Sequence, residues 1–352
     1  MPNAGSDIVP RIAVDAMGGD FGPHVVVPAA VQAARNGIAV VLVGDAERIE
    51  SELSRLNTAG LDITVRAASQ VVEMDDKPSD ALRRKKDSSI QVACRCVTEG
   101  VADGVVSAGN SGATVACGMF VLGRIKGVMR PALAGIMPTE KNPVVLIDVG
   151  ANVDSKPLHL LQFALMADVL SRYVLGVPNP AVGLLSIGEE EGKGNATVRD
   201  AFELLRQSDL RFIGNVEGRD IFTGDVDVVV CDGFVGNVAL KLSEGLAKSM
   251  GNILRTELKS SWLSRLGTLL SLRAFKRFKK VVDYAEYGGA PLIGLKGLVV
   301  VCHGKSNELA MVNAIKMAAT SVRNKMHEHL AEGLAAHSSL AGKFEKTAKD
   351  AA

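Results

Sequence analysis

RIAVDAMGGDFGPHVVVPAAVQAARNGIAVVLVG, residues 11–44, reads in succession as a strand, a glycine-rich turn, a helix and a second strand. Residues 11–17 and 40–44 are apolar almost throughout, as strands covered on both faces are. Residues 28–36 between them carry a helical pattern. Such a unit crosses over right-handedly and sets its strands parallel. The alternation continues with Val- and Ile-rich runs at 63–68, 104–108, 144–149, 182–187, 211–216, 226–231 and 298–302. Helical stretches at 46–57, 89–99, 113–121, 157–173 and 196–207 separate them. The fold predicted is α/β, a doubly wound and mainly parallel sheet.

The rhythm breaks once. Residues 234–287 hold no convincing strand, only helical pattern with a basic and apolar middle. A helical excursion of this kind must pack on something, and a second copy of the chain is the expected partner. A last helix is expected over 308–334. The organisation is thus a single α/β domain, 11–335, with the excursion inside it and flexible ends at 1–10 and 336–352.

Composition narrows the function. Hydrophobic residues make up 47% and charged residues 22%, ordinary for a globular protein with a sizeable core. Aromatics are 4%, too few for the stacking platforms of a single-strand nucleic-acid binder. A net charge of +1 adds no general footprint for nucleic acid. The five cysteines lack framework spacing and fit a reducing compartment as small buried hydrophobes. The opening residues, MPNAGSDIVPR, lack the apolar stretch of a secretory signal, and no 18 apolar residues run together. A cytoplasmic protein is expected.

Several motif-like stretches carry no weight. Gly304-Lys305-Ser306 mimics the end of a P-loop, but Val299 stands where its first glycine is required. No G-x-G-x-x-G follows a strand. His327-Glu328-His329 lacks the spacing of a zinc helix, and no metal site is expected.

Chemistry-bearing residues gather where strands end, the crevice in which open α/β sheets bind ligands. Asp15 and Asp20 bracket Gly18 and Gly19 after the first strand. Gly109-Asn110-Ser111-Gly112 opens a helix, where unpaired N–H groups and the helix dipole favour an anion, although Asn110 or Ser111 serves equally as a plain N-cap. Asp148-Val149-Gly150-Ala151-Asn152 ends an apolar strand. Lys193 stands between glycines ahead of Asn195, a poor structural element but a useful cation for a phosphate or an oxyanion. Asp232 and Asn237 follow a further strand. All these loops are expected along one sheet edge. Lys193, Asn237, Asp232 and Asp15 are the catalytic candidates. Lys193 would hold phosphate or oxyanion, Asn237 and Asn110 would donate hydrogen bonds, and the two aspartates would orient donors or accept a phosphate proton. Gly18, Gly19, Asn110, Ser111, Asn152 and Asn195 are the candidates for binding substrate and phosphate.

At these loops a family resemblance becomes specific. Residues 14–20, 107–113, 148–152, 188–195, 215–220, 231–237 and 288–292 resemble, in order, the motif series of the bacterial acyl-carrier-protein:phosphate acyltransferases of phospholipid synthesis. The resemblance covers roughly residues 11–320. It implies a fold akin to the phosphotransacetylases and to isocitrate and isopropylmalate dehydrogenases, and no metal or organic cofactor. It also implies conversion of long-chain acyl-carrier-protein and inorganic phosphate into acyl-phosphate by a homodimer at the inner membrane face, with a membrane glycerol-phosphate acyltransferase as a further partner. Cys302 and the Ser306-Asn307 pair depart from the family pattern around His303. The alternatives are a CoA-dependent phosphotransacetylase, an isocitrate-type decarboxylating dehydrogenase and a non-catalytic membrane-associated scaffold.

Residues 255–280 hold eight Lys and Arg against one acid, Glu257, a net +7. Trp262, Leu266, Leu269 and Leu270 are interleaved with them. A basic amphipathic segment of this kind suits an anionic membrane surface, and these four are the expected membrane contacts. The same pattern serves a dimer helix with solvated lysines.

Overall fold

The computed structural model describes residues 9–337. The expected flexible ends, 1–10 and 336–352, lie outside the described residues but for the two residues at the inner edge of each. The chain begins β1 (Arg11–Asp15), α1 (Pro23–Arg35), β2 (Ala39–Gly44), α2 (Ala46–Leu53), β3 (Ile63–Ala67), α3 (Pro78–Arg83), α4 (Ser89–Thr98), β4 (Gly104–Ser107) and α5 (Ser111–Cys117). It continues with β5 (Ala132–Met137), β6 (Val144–Ile147), α6 (Pro157–Leu170), β7 (Val182–Leu185), α7 (Ala196–Arg206), β8 (Phe212–Val216) and β9 (Val228–Val230). Three helices follow, α8 (Gly233–Lys259), α9 (Trp262–Leu270) and α10 (Leu272–Val282). The chain then returns through β10 (Ala290–Ile293), β11 (Leu298–Val301), α11 (Glu308–Arg323) and α12 (Met326–Ala336). The helix expected over 308–334 is broken in two, with Lys325 at φ 50 between the halves.

The strands form one sheet in the order β3-β2-β1-β4-β11-β10-β5-β6-β9-β7-β8. β10 lies antiparallel to both β11 and β5, and β5 is antiparallel to β6. The other pairs are parallel. β1–β5 and β11 therefore run one way and β6–β10 the other. The two strands that make this reversal, β5 and β10, are absent from the strands expected from the sequence. β5 is ALAGIM and β10 is APLI, short and built on residues with little strand preference.

The reversal corrects one expectation. Loops after β1, β4 and β11 lie at one end of the sheet, and loops after β6, β7, β8 and β9 lie at the other. They do not share an edge. β4 and β9 are also five strand spacings apart in the order, about 24 Å at ~4.8 Å each.

Side chains alternate across the strands, Ile12 and Val14 to one face and Ala13 to the other. One face carries a continuous core under α1, α6, α7, α11 and α12. The other face is divided. α4 and α5 cover the first half, and the start of α8 covers the second through Ala239 and Leu240. Leu133 of β5 touches both clusters and stays only partly buried between them. α6 continues as a π turn, and Pro157–Leu175 is apolar and long enough to cross a membrane; 78% of its apolar window is buried here, as a core helix.

The excursion is helical, as expected. Its first turn docks tightly, since Gly233 and Gly236 are the only buried residues of the 27-residue α8. On its other side Val235, Val238, Leu242, Leu246, Met250 and Ile253 recur at helical spacing and are all exposed. α9 has no buried residue, and Ser271 separates it from α10. A Cβ on Gly236 would stand 1.9 Å from the Asp148 carbonyl oxygen, whereas one on Gly245 meets nothing within 4 Å. Gly236→Ala is therefore expected to destabilise the fold by about 3 kcal/mol or more. Gly245→Ala should stabilise α8 by roughly 0.5–1 kcal/mol. Urea unfolding followed by circular dichroism compares the two, and equal effects would refute the docking described.

Candidate active site

Each end of the sheet is organised around a buried aspartate. At the first end, Asp15 Oδ2 accepts the Ser107 hydroxyl at 2.8 Å, and Oδ1 accepts the Met17 N–H at 3.2 Å. Gly109 N in turn donates to Ser107 Oγ at 3.1 Å. Asp15 thereby ties the turn after β1 to the turn after β4. Gly18 packs on Gly109 inside this tie, and Gly19 at φ 85 lies against the Gly304 carbonyl of the loop after β11. Burial pushes the Asp15 carboxyl up from its ordinary value, and hydrogen bonds from Ser89, Ser107, Met17 and Gly18 oppose the shift.

At the second end Asp148 has no exposed surface. Its Oδ1 accepts from Leu133 N, Gly150 N and Ala151 N at 3.0–3.1 Å. Its Oδ2 accepts from Asn152 N and Nδ2 at 2.7 and 2.8 Å. Burial raises this carboxyl too, against those hydrogen bonds. Gly233 N donates to Asn152 O at 2.8 Å, so the start of α8 is fixed to the same loop. Asn237, one turn into α8, lies beside Gly150.

α5 and the π turn that prolongs it, Gly118–Leu122, lead from one end toward the other, about 18 Å over twelve residues. α5 starts at Asn110 in the first loop cluster. Met119 and Phe120 of the π turn line a cleft of about 550 Å³ with Arg124, Met129, Arg130, Lys156 and His159. This cleft adjoins the Asp148 loop, because Asn152 Nδ2 donates to the carbonyl of Pro131.

The predicted residues therefore fall into three places. Asp15, Gly18, Gly19, Asn110 and Ser111 stand at the first end. Asn152, Lys193, Asn195, Asp232 and Asn237 stand at the second, after the adjacent strands β6, β9 and β7. Trp262, Leu266, Leu269 and Leu270 lie exposed on α9. Several polar candidates hold the loops themselves. Asn110 caps α5 through Ala113 N and donates to the carbonyls of Met74 and Asp76. Asp232 caps α8 and Asn195 caps α7. Among the described residues, the side chains of Ser111, Lys193 and Asn237 have no hydrogen-bond or ion-pair partner, so these three are free to meet a ligand.

Sequence reasoning missed the cleft residues Arg124, Arg130, Lys156 and His159. One signal was present: residues 104–139 contain no Asp or Glu while carrying Arg124, Lys126 and Arg130. The role of Asp148 is not legible in the sequence, because five donors converging on one carboxylate are a tertiary fact.

Comparison with solved structures gives the class of fold. A phosphotransacetylase from Streptococcus pyogenes matches with a TM-score of 0.61 at 21% identity, covering 89% of this chain and 94% of that one. A 4-hydroxythreonine-4-phosphate dehydrogenase from Klebsiella pneumoniae gives 0.52 at 16%, covering 92% and 100%. At such identities the likeness fixes the fold alone, the phosphotransacetylase and dehydrogenase type expected. The family model described as "Fatty acid synthesis protein" matches residues 10–329. A phosphate acyltransferase of Nitratidesulfovibrio vulgaris is 62% identical over 331 residues, 94% of this chain and 96% of the relative. One from Lawsonia intracellularis is 58% identical over 94% and 96%. The chain belongs to this fatty acid synthesis family and is an enzyme of its phosphate acyltransferase group.

The raised carboxyl of Asp15 has a consequence for stability. Between 3.8, the unperturbed value, and the higher folded value, the native state holds a proton that the unfolded chain has released. Stability from this group therefore falls as pH rises through that window. Asp15→Asn keeps an oxygen for Met17 N and can donate to Ser107 Oγ, but it cannot ionise. Its stability relative to the wild type should rise as pH climbs above 3.8, and not below. Urea midpoints measured across pH check this, and parallel curves would refute it.

Proposed function

We propose that the enzyme transfers a long-chain acyl group from acyl carrier protein to inorganic phosphate, releasing acyl-phosphate for phospholipid synthesis. Near-full-length identity of 62% to a phosphate acyltransferase carries the reading. In the step, a phosphate oxygen forms a bond to the thioester carbonyl carbon, and the carbon–sulfur bond breaks. The thiolate leaves with the electron pair and takes up the proton that phosphate loses. Phosphate is largely dianionic near neutrality and a thiolate leaves readily, so positioning and oxyanion stabilisation suffice without a nucleophilic triad. Lys193 and Asn237 are the cation and the donor for this task.

Purified protein should consume acyl-carrier-protein thioester only when phosphate is present. Lys193→Ala and Asn237→Ala should each lower turnover about a hundredfold with the fold intact. Near-wild-type rates in both would remove these residues from the mechanism. Equal use of CoA thioesters would favour the phosphotransacetylase alternative.

We further propose that the excursion serves a homodimer and the cytoplasmic face of the membrane. Support comes from the exposed apolar stripe of α8 and from exposed Trp262, Leu266, Leu269 and Leu270 amid basic residues. An acyl-phosphate is apolar at its tail, so release at a bilayer, beside a glycerol-phosphate acyltransferase, suits it. Sedimentation equilibrium should give about twice the 37.0 kDa chain mass. Binding to anionic vesicles should weaken with salt, and replacing Leu269 and Leu270 together with Glu should abolish it while sparing turnover in solution. Undiminished co-sedimentation of that double variant would rule out α9 as the anchor.

A further inference from the structure

We propose that the cleft between the π turn Gly118–Leu122 and the start of α6 binds a phosphoryl group through Arg124, Arg130, Lys156 and His159. Charge comes first. Among the described residues no carboxylate pairs with Arg124, Arg130 or Lys156, although ion pairs are common elsewhere on the surface. The 36 residues from 104 to 139 supply no acid at all. Three uncompensated cations around one cavity match a dianion better than a carboxylate. A planar guanidinium on Arg130 suits phosphate oxygens in particular. The Arg124 guanidinium donates to the Met129 carbonyl, which holds it over the cleft by closing its own loop.

His159 is the second, independent observation. It lines the cleft yet is only 6% exposed. Its Nδ1 accepts the Lys156 N–H at 3.1 Å, so the neutral ring carries its proton on Nε2 and offers a donor. Burial, then Arg130 and Lys156, hold its pKa below the ordinary histidine value. The neutral ring, with its donor at Nε2, is thus the favoured form in the free cleft. The 14-residue α6 begins at the same place and adds the positive end of its dipole.

The apolar part of the lining says what the phosphoryl group is attached to or meets. Met119, Phe120 and Met129 face the same space, and about 550 Å³ exceeds what a phosphate fills. The cleft accommodates a phosphoryl group with apolar chain beside it, either inorganic phosphate next to a bound thioester or the head of the acyl-phosphate product. Arg130 directly precedes Pro131, whose carbonyl holds Asn152, so the bound group lies next to the Asp148 loop and the start of α8. This placement rests on the proposed reaction for the ligand's identity, and leaves Lys193 to meet the carbonyl oxygen.

Binding separates the two claims. Inorganic phosphate and a long-chain alkyl phosphonate are titrated separately into wild type, Arg130→Met, Lys156→Met and the double variant, with thermal melting as the control for folding. Both positions are exposed, so the variants should fold. Each single variant should weaken binding of at least one of the two probes about tenfold, and the double variant should abolish it. Arg130→Lys should recover only part. Weakened inorganic phosphate binding identifies the nucleophile's site, whereas loss confined to the phosphonate identifies the product's. Unchanged binding of both probes in folded variants overturns the proposal. Intact cleft binding with no acyl transfer would sink the reaction and leave the cleft standing.

Discussion

One carboxylate holds the second half of the molecule in register. Asp148 receives five N–H groups from the start of β5, from the turn that follows it and from the Asn152 amide. Backbone bonds couple it to β9, with Asp148 N donating to Cys231 O and Cys231 N to Ile147 O. Only glycine at 233 and 236 lets α8 sit against this knot. A charge so deeply buried is tolerable only because every lone pair is met. The strand reversal, the start of the long helix and the position of Asn237 all depend on it. Asp15 plays the corresponding part at the opposite end, with fewer donors.

The fold class was legible because most strands here are buried on both faces. Runs such as AVVLVG in β2 and LVVV in β11 announce themselves without neighbours. β5 and β10 do not. Their Ala, Gly, Met and Pro residues carry no strand signal, and their pairing is set by the strands on either side. Missing two strands of eleven is a small error in assignment and a large one in geometry. Without the reversal all strand ends face one way, and loops that lie at opposite ends are read as a single crevice.

Site residues were legible by type and not by task. A polar residue that begins a helix can cap it or bind a ligand, and the sequence is the same in both cases. Asn110, Asn195 and Asp232 are caps, and Asn110 also closes the loop at residues 73–76. Lys193 and Asn237 are left without such a role. The reverse holds for Arg130, Lys156 and His159, which belong to no glycine motif and become a group only when α6 meets the π turn after α5. A stretch lacking one sign of charge is a weaker signal than a motif, yet here it points to a place that the motifs pass over.

The chain has a single tryptophan, and it lies at the start of α9 with 73% of its surface in water. Its indole is remote in the sequence from every strand and belongs to a helix with no buried residue. Intrinsic emission therefore reports on the surroundings of that helix and is nearly blind to the sheet. Unfolding the core would move an already wet indole into water and alter its spectrum little. Covering α9 with an apolar surface would shift the emission to the blue while the fold stayed unchanged. Fluorescence, the usual gauge of folding, serves in this protein as a built-in gauge of contact.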